Sequence, residues 1–181
     1  MDELPPWVVM QTQDPVIQSV ITELLANGQF RAPFDSHFTS TNERPSFTTH
    51  VGDPAFLRDF NRTRPRRERV KVDENTAAAS IYNNQPDGSV NSGGLMIDVD
   101  RIHDVVKQDS ARARDLTRDA IIHEFAHLLP VAESRSMDSR TGDPNPGRRG
   151  ASDHAVIQQE NLLRGLLGLP PKDYYGLLPE K

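Results

Sequence analysis

The chain has 181 residues, enough for one domain around one core. Its 21 Lys and Arg against 26 Asp and Glu leave a net charge of -5, which argues against a nucleic-acid binder or a membrane-surface protein, since both are normally basic. It contains no cysteine, which excludes disulfides, thiolate metal sites and a cysteine nucleophile, so any metal has to be held by His, Asp or Glu.

The opening, Met1-Asp2-Glu3-Leu4-Pro5-Pro6, is acidic and broken by proline, so no signal peptide is expected. No stretch approaches the roughly 20 apolar residues of a membrane span. The first predicted helix has Asp14 as its cap, Pro15 at its first position and Gly28 beyond its end. Val16, Ile17, Val20, Ile21, Leu24 and Leu25 form its core-facing stripe. Residues 29 to 52 carry no period that defines an element. Asp53-Pro54 repeats the cap-plus-proline signature and opens a short helix through Phe60. Arg62, Arg64, Arg66, Arg67, Arg69 and Lys71 follow without interleaved aromatic residues and read as a solvated basic face.

Two strands come next, Ala77 to Tyr82 and Leu95 to Asp100, with a turn signal at Gln85-Pro86-Asp87-Gly88. They predict an antiparallel hairpin or a small antiparallel sheet. A long helix is expected from about Ser110 to Leu129, capped by Asp109 or Ser110 and stopped by Pro130. Residues 131 to 151 are rich in Ser, Arg, Gly, Asp and Pro and read as a long exposed loop. A last helix is expected from near Ser152-Asp153 to just before Gly168. With no repeat and no linker, residues 1–181 are expected to form a single α+β domain.

The chemistry concentrates in His123-Glu124-Phe125-Ala126-His127. At about 3.6 residues per helical turn, two histidines four apart project from one face and can share a cation. Imidazole nitrogen suits zinc at about 2.0 to 2.1 Å. Glu124 is rotated off that axis, placed to act on a zinc-activated water, whose pKa falls towards roughly 7, as general base. The apolar flanks Ile121, Ile122, Leu128 and Leu129 suit a buried catalytic helix. A catalytic zinc normally takes a third protein ligand. Glu160 is the leading candidate, because Val156, Ile157, Leu163 and Leu167 share its side of the last helix and turn it inward, where a carboxylate needs a partner. His154 is the rival ligand. His154, Arg164, Tyr174 and Tyr175 are candidates to support the transition state, and Arg164 alternatively orients Glu160. By analogy with helix-bound zinc peptidases, the strand at Leu95 to Asp100 offers an edge to an extended peptide.

Together with Glu160-Asn161-Leu162-Leu163-Arg164, Leu166-Leu167-Gly168-Leu169-Pro170 and Tyr174-Tyr175-Gly176, the His-Glu-Phe-Ala-His segment is similar to HExxH zincins that bacteria deliver through secretion systems. It most resembles the C-terminal toxin extension of the VgrG spike of type VI secretion, over about the C-terminal half of the chain. The resemblance implies a zincin-like fold with Glu160 as third ligand to Zn2+. It implies a metallopeptidase toxin or effector with a peptide or protein substrate, carried covalently by the spike without a signal peptide. The implied target is the periplasm of another cell or the host cytosol, with a cognate immunity protein. Gly165-Leu166 departs from the family pattern, which often carries a charge there. Two alternatives stand beside this reading: a zinc amidase acting on peptidoglycan peptides, and a non-catalytic binding module with a degenerate motif.

Overall fold

The structure, a computed structural model, describes residues 4–38, 48–66, 69, 77–84, 90–107, 109–129 and 149–173. Among these lie six helices and one four-stranded sheet, so the fold is α+β. Strand β1 (Val8–Met10) leads to helices α1 (Pro15–Ala26) and α2 (Gly28–Phe38). Strand β2 (Thr48–Gly52) and helix α3 (Pro54–Arg62) follow. Strands β3 (Ala78–Asn84) and β4 (Val90–Ile97) precede helices α4 (Val99–Val105), α5 (Ser110–Leu128) and α6 (Arg149–Leu166).

The expected caps are in place. The Asp14 carboxylate accepts from Val16 N and Ile17 N, and Asp53 accepts from Ala55 N and Phe56 N, so each satisfies two orphan donors of a helix start. Asp109 caps α5 through Arg112 N. Gly168 takes a φ of 68° just beyond α6, the left-handed geometry that glycine adopts at no steric cost. At Gly52 a side chain is excluded for another reason: a Cβ there would fall 2.2 Å from the Phe56 Cβ at the start of α3.

Several expectations need correction. The sheet is mixed rather than antiparallel, in the order β1-β2-β4-β3, with β1 and β2 parallel, β2 and β4 parallel, and only β3 antiparallel to β4. The hairpin therefore forms half of a larger sheet. β4 lies between two partners, so it is not an edge, and among the described residues β3 is the outer strand on that side. The strand predicted to end at Asp100 ends at Ile97, because Asp98 caps α4 by accepting from Arg101 N. Helix α2 occupies part of the stretch without a readable period. Helix α6 begins at Arg149, ahead of the expected start near Ser152-Asp153, so residues 149–151 of the expected loop are helical. The remainder of that loop and the turn at residues 85–88 lie outside the described residues.

The core joins both halves of the chain. Trp7, Phe30 and Phe34 meet Phe125 of α5 edge-on, with centroids 5.0 to 6.4 Å apart, and Phe38 packs edge-on against Trp7 at 5.0 Å. Phe30, Phe34 and Phe38 recur every four residues and give α2 its buried face. No helix among the described residues is long and apolar enough to cross a membrane.

Trp7 also donates its indole N–H to Asp35 Oδ1 at 2.8 Å, while Arg31 Nε donates to Oδ2 at 2.6 Å. Burial pushes the Asp35 carboxyl up, and the Trp7 and Arg31 contacts outweigh it, so its pKa lies below the ordinary 3.8. A lowered carboxylate pKa stabilises the fold fully above the unfolded value and loses that contribution as pH falls through the folded one. Urea unfolding followed by Trp7 fluorescence should therefore show Asp35→Asn less stable than the parent at neutral pH, with the gap narrowing as the pH is taken below the ordinary 3.8. A gap unchanged by acid would mean that the ionised carboxylate contributes nothing.

Candidate metal centre

From Ala120 to Leu129 every residue of α5 and its end is buried. The helix runs through the core, packed against α1, α4, β3, β4 and α6. Apolar side chains explain most of that stretch. His123, Glu124 and His127 do not belong to it on hydrophobic grounds, yet they are exposed by only 7%, 5% and 9%. Polar groups buried this deeply cost free energy unless they are partnered.

The helical spacing places the two imidazoles side by side, with ring centroids 5.0 Å apart and planes at 84°. His123 Nδ1 lies 2.7 Å from Glu160 Oε2. Glu124 meets the outer strand: the Ser80 hydroxyl makes a short hydrogen bond to its Oε2 and lies 3.2 Å from its backbone carbonyl oxygen. Ser80, Glu124, His123 and Glu160 are thus brought to one place from β3, α5 and α6.

Glu160 is fully buried, as its place on the apolar side of α6 predicts. Its environment is richer than sequence suggests. Oε1 lies 3.5 Å from Lys172 Nζ and 3.7 Å from Arg164 Nη1 but accepts no hydrogen bond from either. Arg164 is anchored elsewhere: Nη1 donates to Asp119 Oδ1 at 2.9 Å and Nε to the Pro170 carbonyl at 2.7 Å. Lys172 is held by the Asn161 side chain, which accepts from its backbone N–H and donates to its carbonyl, both at 2.7 Å. Two carboxylates, Glu160 and Asp119, therefore face two cations, Arg164 and Lys172. Burial pushes the Glu160 carboxyl up, but the hydrogen bond to His123 and the charges of Lys172, His123 and Arg164 together hold it below its ordinary value.

The sequence candidates divide accordingly. His123, Glu124, His127, Glu160 and Arg164 come together, with Arg164 Nη1 3.7 Å from Glu160 Oε1. His154 falls within α6, but its side chain, like Tyr174 and Tyr175, lies outside what is described. Ser80, Asp119 and Lys172 were missed. No local pattern marks them, because each is brought to the site only by tertiary packing.

The imidazole pair suits zinc chemically, as two nitrogen donors on one helical face. Among the described residues no group of three His, Asp or Glu side chains is already gathered as a metal donor set, but Glu160 lies against the His123 ring through Oε2, and its Oε1 is a buried oxygen without a hydrogen-bond partner. Comparison with known proteins finds no match to a family model, to a curated protein or to a solved structure. The assignment of function therefore rests on the residues and their geometry.

Proposed function

We propose that this chain is a zinc-dependent hydrolase of peptide bonds, with His123 and His127 holding the metal and Glu124 as general base. The observation that carries the proposal is the burial of this trio side by side on an otherwise apolar helix end, in the HExxH spacing. Zinc bound there would polarise a substrate carbonyl and ease deprotonation of a water. Glu124 takes a proton from that water as its oxygen bonds to the carbonyl carbon, then returns it to the amine as the C–N bond breaks. Ser80 holds one oxygen of Glu124 and so restrains the carboxylate that takes the proton.

β3 favours an extended peptide over other acyl substrates. It is the outer strand of the sheet among the described residues, and it carries the serine that touches the base, so a chain pairing with it would pass close to Glu124. A zincin-like arrangement, delivery as the toxin extension of a secretion spike, action in another cell and neutralisation by an immunity protein form one coherent extension of this reading. It is supported by the motif and by the Glu160 to Tyr175 segments quoted above.

The test is metal content. The parent should take up about one zinc per chain, and His123→Ala and His127→Ala should each take up essentially none. Thermal melting of the metal-free variants controls for folding. Equal zinc in parent and histidine variants would end the proposal.

A further inference from the structure

The three polar residues of the Glu160-Asn161-Leu162-Leu163-Arg164 segment all meet the chain that follows α6. Arg164 Nε donates to the Pro170 carbonyl, and the Asn161 side chain accepts from the Lys172 N–H and donates to its carbonyl. Residues 170 and 172 thus lie beside 164 and 161, so the chain doubles back along the helix after the turn at Gly168. This return brings the Lys172 ammonium to 3.5 Å from Glu160 Oε1, with Lys172 only 6% exposed.

A buried ammonium costs free energy unless its charge is answered. Here the answering carboxylate is the acid that the sequence offers as third zinc ligand. The pairing is incomplete. Oε1 is buried between Lys172 and Arg164, at 3.5 and 3.7 Å, yet accepts no hydrogen bond. It therefore keeps lone pairs that a closer cation could use. The two cations are held differently. Hydrogen bonds to Asp119 and Pro170 fix the Arg164 guanidinium. Asn161 fixes Lys172 at its backbone, and the ammonium ends a flexible four-carbon stem. That ammonium can leave Glu160 without the chain letting go of α6.

Zinc and an ammonium cannot both sit tightly on one buried carboxylate, because like charges at such range repel strongly. Resting on the proposed zinc site with Glu160 as its third ligand, we propose that Lys172 is a stand-in cation: it neutralises Glu160 in the metal-free protein and is displaced from it when zinc binds. The metal-free fold gains a paired carboxylate, and zinc binds less tightly than its ligands alone would allow.

The experiment uses the full chain and zinc alone, with affinity read by competition against a chromophoric chelator. Lys172→Met removes the charge and keeps much of the stem, and Lys172→Arg keeps the charge. Lys172→Met should bind zinc about tenfold or more tightly than the parent, and Lys172→Arg should stay close to the parent. Without zinc, Lys172→Met should melt below the parent, and saturating zinc should narrow the difference. Carbon–proton NMR of the ε-methylenes of the four lysines views the displacement directly, with Lys172→Arg identifying the Lys172 signal. In the parent that signal should move toward the signal of exposed Lys107 as zinc is added. Zinc affinity in Lys172→Met equal to or below that of the parent overturns the proposal, as does a Lys172 signal that zinc leaves unmoved. If Lys172→Met does not fold, the parent signal decides. Zinc lost in His127→Ala but indifferent to Lys172 would leave the metal site standing and overturn this proposal alone. Zinc bound equally by parent and His127→Ala would remove the metal site, and this proposal with it.

Discussion

Glu124→Ala is expected to keep its zinc and lose its hydrolytic activity, with the rate falling by about 10²–10⁴-fold, the usual contribution of a positioned general base. In the proposed site Glu124 touches no metal. It occupies the position next to His123 on the helix, and its carboxylate is engaged by Ser80. Removing it takes away the proton acceptor and leaves the two imidazoles where they were. Zinc content by elemental analysis and cleavage of unfolded proteins measure the two halves of the result. Digestion of purified cell wall, run in parallel, separates a peptidase from an amidase acting on peptidoglycan peptides. A binding module with a degenerate motif makes the opposite forecast: Glu124→Ala changes nothing. Loss of zinc in this variant would also count against the assignment, because it would make Glu124 a ligand.

Phe125→Ala is expected to destabilise the fold by about 3–5 kcal/mol, the usual cost of emptying a fully buried aromatic site. Phe125 is completely buried, with its ring 5.0 Å from Phe34, 5.8 Å from Phe30 and 6.4 Å from Trp7 by centroids. The motif therefore does two jobs on one turn of helix: the histidines and glutamate supply the site, and the residue between them anchors α5 to the aromatic cluster of α2. Urea unfolding should show a lower midpoint with an unchanged slope, as for a mutation that alters stability and not the denatured chain. A loss below about 1 kcal/mol would mean that the cluster repacks around the gap or that Phe125 does not hold the helix.

What could be read in advance was what is local. Asp14 with Pro15, and Asp53 with Pro54, announce helix starts within a few residues, and both starts are capped as expected. The imidazole pair follows from helical spacing alone. The inward turn of Glu160 follows from the apolar residues one turn before and after it. α2 was hidden by Pro33 and by polar residues between its aromatics, although Phe30, Phe34 and Phe38 carried a four-residue period. β1 and β2, three and five residues long, are too short to show alternation, and their parallel pairing is decided by distant partners. Asp98 was read as a polar position in a strand when it is a cap. At the site, the contacts that could not be read were those made across the fold. Ser80 and Glu124 are 44 residues apart, and Asp119 and Arg164 are 45 apart, so no spacing rule links them.

Crystals grown with zinc and measured across its absorption edge would address the proposal at its root. An anomalous peak should lie about 2.0–2.1 Å from the Nε2 atoms of both His123 and His127, with Glu124 outside bonding distance. Rings that diverge around an interior free of anomalous signal, with zinc found only on the protein surface, would contradict it.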